Sequence, residues 1–183
     1  MRELSFDQKK TLVAYEHFYG SRYNTHVGEV GSTGLHVETQ KMCYLLKVAG
    51  VEIGDFDYSW NFKGPFSPGL LALLRSMDRN ENVVQSFYEE QSENESILSD
   101  CLTRIDKLRA DLEIDEHQEQ PVQWIEILGS MTYISRVMLP GANFETVNQR
   151  LVGEKSEYND ENTNHHAWEL LERADMLSVA TAY

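Results

Sequence analysis

Cysteine is almost absent from this chain: two residues in 183, Cys43 and Cys101, each beside apolar neighbours in a helix-period pattern. That excludes a disulfide-stapled scaffold and points to two free, buried thiols in a reducing compartment. Proline is nearly as scarce, at four residues, so each one marks an element boundary rather than a disordered stretch. No apolar run approaches the roughly 18 residues of a membrane span. The first ten residues, MRELSFDQKK, lack the apolar core of a signal peptide, and the expected location is cytoplasmic. Positive charge is also in short supply, with 16 Lys and Arg against 30 Asp and Glu and a net charge of -14. A chain without a basic stripe has little to neutralise phosphates, which disfavours direct nucleic-acid binding.

The acidity that is present is local. Residues 89–120 hold 11 acidic and 3 basic side chains, and residues 154–175 hold 7 and 2. Such a distribution suits a basic partner or mimicry of nucleic acid, and equally a solvated helix face that keeps the protein soluble. At 183 residues the whole chain fits one ordinary domain able to bury a core.

Apolar periodicity predicts a mainly α protein, a compact multi-helix single domain with a short aromatic strand or hairpin element around 56–63. Residues 4–19 form an amphipathic pattern, 20–34 read as a loop, and Met42, Leu45, Leu46 and Ala49 define the buried face of a helix from Leu35 to Ala49. The leucine-rich segment from Pro68 to Met77 is too apolar for an open surface. From about Glu93, Ile97, Cys101, Ile105, Leu108 and Leu112 step by 4, 4, 3 and 4 residues, a narrow stripe on an otherwise polar helix. That stripe must pack against a neighbour within the chain or in a homodimer. Pro121 suits the first turn of a helix, and 122–138 is apolar nearly all round. A short helix carrying Phe144, Val147 and Leu151 follows, then a polar loop over 153–164 and a last helix from about His165 that buries Trp168 and Leu171.

Phe56, Tyr58, Trp60 and Phe62 alternate with Asp57, Ser59 and Asn61, the pattern of a strand with one apolar face. Gly64-Pro65 ends it. Ser67 before Pro68 is a helix-start signal, since the serine side chain accepts from free amides and proline at the first helical position loses no hydrogen bond. The expectation is that Tyr58, Trp60 and Phe62 are core residues, while the rigid corner presents Lys63 and Phe66 to a partner.

Catalytic and ligand motifs are wanting. Gly28, Gly31 and Gly34 precede a helix but match no phosphate-loop spacing, and Glu29 would repel a nucleic-acid backbone. His165 and His166 are adjacent, so on a helix they diverge by about 100° and cannot share one metal. His17, His26, His36 and His117 show no Cys, Asp or Glu companion at a characteristic ligand spacing. No metal, cofactor or catalytic residue is therefore expected.

The segments QKMCYLLKVAG and FDYSWNFKGPFSPGLLALL resemble the signature of the YwgA-like bacterial proteins and, more loosely, the Panacea or SocA-like antitoxin domain. The matching positions are Gln40, Lys41, Tyr44, Leu45, Trp60, Gly64, Pro65, Ser67 and Pro68, which the reading takes as structural. The closing NHHAWELLERADMLS is similar to the last helix of these proteins, and the matching segments cover about a third of the chain. The resemblance implies a mainly helical, non-catalytic module that neutralises a toxin or delivers a partner to a protease. The acidic 89–120 segment departs from the pattern and would suit a basic toxin, with Glu113 and Glu116 joining Lys63 and Phe66 as partner-binding candidates. A nucleic-acid-associated regulator or acidic DNA mimic is the alternative.

Overall fold

A computed structural model describes residues 10, 11, 14, 17, 33–51, 53–77, 95–117 and 121–177. Its elements in chain order are α1 (Thr33–Val48), β1 (Ser59–Asn61), β2 (Gly64–Phe66), α2 (Pro68–Met77), α3 (Glu95–Asp111), α4 (Pro121–Tyr133), α5 (Phe144–Glu154) and α6 (Glu161–Arg173). The fold is mainly helical, with one two-stranded antiparallel sheet pairing Ser59 with Phe66, Trp60 with Pro65 and Asn61 with Gly64.

The apolar 122–138 segment becomes the centre of the core. Ile125, Leu128, Met131 and Ile134 are fully buried, and α4 packs against α1, β2, α5 and α6. Burial on every side explains why its sequence lacks a polar face. Its last residues, Ile134–Met138, widen into a π-helix, with the Leu139 amide donating to the Ile134 carbonyl at 2.8 Å. Gly129 lets α1 come close: a Cβ there would lie 3.1 Å from Lys41 Cβ.

Helix ends follow local chemistry. Gly50, at φ 72°, closes α1 while the Val51 amide returns to the Leu46 carbonyl at 2.9 Å, a six-to-one bond that satisfies an orphan carbonyl. Ser67 Oγ accepts from the Leu70 amide at 3.4 Å, and Pro68 opens α2. Asn143 caps α5 through the Thr146 amide, and Asp160 caps α6 through the Asn162 and Thr163 amides. These bonds, the Thr163 hydroxyl first, hold the Asp160 carboxyl below the usual range.

Cys101, Ile105 and Leu108 on α3, and Leu112 directly after it, are buried in the main hydrophobic cluster. The predicted seam is thus filled within the chain at those four positions; the Ile97 side chain lies outside the described residues. Both cysteines are free and buried, and burial pushes the Cys43 thiol up to about 12.

Several expectations need correction. The aromatic strand is three residues long, and Gly64-Pro65 does not stop it but forms the returning strand β2. Phe62 therefore falls in the turn, where its side chain is 75% exposed, while Phe56 is buried and Tyr58 and Trp60 pack against the core. The polar 153–164 loop is partly interior: Lys155, Tyr158 and Asn164 are buried, and α6 already begins at Glu161. Asn164 Nδ2 donates to the Tyr158 carbonyl and to Asn148 Oδ1, each at 2.8 Å, so hydrogen bonds replace the water that a polar sequence implies. Trp168 is half-buried. The expected helix over 4–19, residues 20–32 of the expected loop 20–34 with Gly28, Gly31 and His26, and the tail after Leu177 lie outside the described residues, apart from helical positions at Lys10, Thr11, Ala14 and His17. The last two residues of that loop, Thr33 and Gly34, are helical and open α1. Among the described residues no helix is long and apolar enough to cross a membrane.

Candidate functional site

Gln40 stands 27 positions before Ser67 and Lys41 24 before Pro65 in sequence, and the fold joins them. Gln40 on α1 makes a two-way amide clamp with Ser67: its Nε2 donates to the Ser67 carbonyl at 3.0 Å and its Oε1 accepts from the Ser67 amide at 2.8 Å. Lys41 Nζ donates to the Pro65 carbonyl at 2.8 Å. These bonds tie backbone groups of the corner to α1; the Ser67 carbonyl also accepts from the Leu71 amide at 3.1 Å. Leu45 is fully buried on the same face. Tyr44 packs on Tyr58 and Tyr133 at ring separations of 5.1 and 5.6 Å, and Trp60 meets Tyr133 at 5.7 Å.

Behind the hairpin lies a buried ionic cluster. Lys155 Nζ pairs with Glu126, both side chains being almost fully buried, and sits over the Trp60 and Tyr158 rings. Burial lowers the Lys155 ammonium pKa against the opposing pull of Glu126. Burial lowers Lys41 further, to about 7, with Glu126 opposing and Lys155 and Lys63 adding repulsion. The Tyr158 hydroxyl is shifted up by burial and by the Glu126 carboxylate. Gly64, at φ 90°, makes the close approach: a Cβ there would stand 2.6 Å from Ser130 Oγ and 3.2 Å from Lys41 Cε. With this backing, the hairpin projects Phe62 into solvent, with Lys63 Nζ 5.6 Å from its ring centroid. Lys63 and Phe66 are half-buried.

The other partner-binding candidates lie elsewhere, on the turn after α3. Glu113, at φ 51°, accepts a 2.7 Å hydrogen bond at Oε2 from His166 Nε2. Glu116 is exposed and lines a cleft of about 360 Å³ shared with His117, Trp124, Glu157, Tyr158 and Asp160. His117 stacks on Trp124 at 3.9 Å between ring centroids. Burial, with His166 beside it, lowers the His117 imidazole pKa.

The fold adds to the reading of the histidines what spacing could not show. His165 and His166 do diverge: His165 turns to Glu169 and the Phe144 ring. His117 and His166, however, have an acidic companion, because donor atoms of Glu113, His117 and His166 all lie within 4.8 Å of one another. Separations of 4 and 49 positions match no local ligand motif, since the group is assembled by bringing α6 against the turn after α3. The buried Glu126–Lys155 pair escaped for the same reason, although a glutamate inside the apolar 122–138 run was a visible signal. Comparison of this chain with protein-family models, with curated proteins and with solved structures finds no match.

Proposed function

We propose that this chain is a non-catalytic, protein-binding regulatory module of the antitoxin or adaptor type, acting on a protein partner in the cytoplasm. One observation carries the reading: a large aromatic side chain, Phe62, stands 75% exposed at a hairpin tip whose corner is fixed from behind by Gln40 and Lys41. An exposed aromatic on a pre-ordered turn loses little conformational freedom on binding and suits the anchor of an interface. Lys63 beside it supplies a polar rim. The two acidic segments favour a basic partner, a toxin in the antitoxin setting, by steering its approach. Free buried thiols fit a reducing compartment.

The test is affinity capture from the native host with two baits, the wild-type chain and Phe62→Ser. The exposed position should leave the melting temperature unchanged. A stoichiometric protein held by the wild type and lost by the variant supports the reading. Equal capture by both baits, or no captured protein, refutes it.

A further inference from the structure

We propose that Glu113, His117 and His166 bind one divalent first-row transition metal ion, zinc being the cation best matched to two imidazoles and a carboxylate. The proposal goes beyond the protein-binding reading and does not depend on it. The three donor groups come from two places in the chain that the fold brings together, the turn after α3 and the exposed side of α6. Their donor atoms lie within 4.8 Å of one another. Metal–ligand bonds of about 2.0–2.1 Å place tetrahedral donors roughly 3.4 Å apart. The gap is closed by small side-chain rotations, and one pair, His166 Nε2 and Glu113 Oε2, is already at 2.7 Å.

Each donor is held in place by the fold. His117 lies flat on Trp124, at an interplanar angle of 19°, and the indole is itself fixed by its Nε1 donating to the Leu112 carbonyl at 2.9 Å. Glu113 is set by the turn: its amide donates to Ala110 and its carbonyl accepts from Glu116, while the next residue, Ile114, is buried as an anchor. His166 belongs to a helix capped at Asp160 and packed on α4. Rings oriented by second contacts of this kind are what a ligand set needs.

The surroundings favour a cation. The cleft that His117 lines also carries Glu116, Glu157 and Asp160, and no lysine or arginine is among its lining residues. Three protein ligands leave a fourth position for water or for a group entering from that cleft. On binding, the metal takes the Nε2 lone pair of His166 in the tautomer that carries its one proton on Nδ1, together with a Glu113 oxygen. The Nε2 proton of the hydrogen bond moves by way of solvent to Nδ1, and only an imidazolium form would release a proton outright. The ion would then tie the acidic turn to α6.

Untagged, chelator-washed full-length chain is titrated with zinc chloride by calorimetry, and with cobalt(II) followed by visible absorption. One zinc per chain is expected, with His117→Ala and His166→Ala each weakening binding at least tenfold and His165→Ala leaving it unchanged. X-ray absorption of the wild-type zinc complex reads the ligands without any variant, and should show two imidazoles in the shell. Absence of saturable binding, equal losses from His165→Ala and His166→Ala, or an all-oxygen shell would overturn the assignment.

Discussion

Gly64 sits where three constraints meet: a left-handed φ of 90°, Ser130 Oγ 2.6 Å from an added Cβ, and Lys41 Cε at 3.2 Å. Ser130 and Lys41 are both fully buried and have nowhere to retreat. Gly64→Ala should therefore destabilise the fold by about 2 kcal/mol or more, through backbone strain and overpacking together. Urea unfolding checks this, and a midpoint matching the wild type would count against the close approach. Lys41 makes a second, pH-dependent prediction. Its pKa in the fold is lowered from 10.5 to about 7, so between those values the unfolded chain binds more protons than the folded one. Stability then rises with pH across that window, with a slope of up to about 1.4 kcal/mol per pH unit from this group. The buried thiols, Cys43 raised from 9.0 to about 12 and Cys101 raised as well, oppose the gain above pH 9. Lys155, also lowered by burial, adds to it, so the Lys41 share is read over pH 7–9 by difference from a variant. Lys41→Met keeps the buried stem and removes the titration. Melting temperatures of wild type and variant over pH 7–9 should show a shallower rise in the variant; parallel curves would mean that Lys41 keeps its charge in the fold.

At the scale of elements, α3 shows how little apolar surface can seat a helix. Among the described side chains, Cys101, Ile105 and Leu108 of the helix and Leu112 just after it are buried, Ile105 and Leu112 fully, with Leu102 packed at the edge of the core. Elsewhere the helix is tied by polar bonds, such as Arg104 to the Ala49 carbonyl at 3.0 Å. Ile105→Asp places an unpaired charge in the core and should cost about 3 kcal/mol or more. Lys107→Asp, on the exposed face and in an i,i+4 pair with Asp111, should cost well under 1 kcal/mol. Chemical denaturation of both separates seam from surface, and equal effects would contradict the burial described here. The seam was legible in sequence because period alone defines it, and so were the boundaries at Pro68 and Pro121, where local capping chemistry decides. The hairpin was half legible. Alternation marked Phe56, Tyr58 and Trp60 as inward-facing, but three-residue strands end before Phe62, and alternation cannot say where pairing stops. The Gln40–Ser67 clamp, the Lys155–Glu126 pair and the Glu113–His117–His166 group were not legible as contacts, since each joins residues 27 to 53 positions apart. Tertiary packing, not spacing, makes them.

Across the whole molecule the acidic windows converge on one place. Glu116 comes from the segment 89–120, and Glu157 and Asp160 from the segment 154–175, yet all three line the same cleft. Acids from two segments separate in sequence thus meet at one cleft, where they act on an approaching charge as a sum. If a basic protein is the partner, its association rate should fall as salt shortens the Debye length from ~10 Å at 0.1 M to ~3 Å at 1 M. Glu157→Lys with Glu116→Lys reverses two exposed charges while leaving Glu113 and its bond to His166 in place. The double variant should keep the wild-type melting temperature, since exposed charges contribute little to stability. Stopped-flow association with the captured partner should show a rate reduced roughly tenfold at low salt and converging on the wild type at 1 M. A rate indifferent to both salt and charge reversal would make this surface ordinary solvated acid, and would leave Phe62 to carry recognition by contact alone.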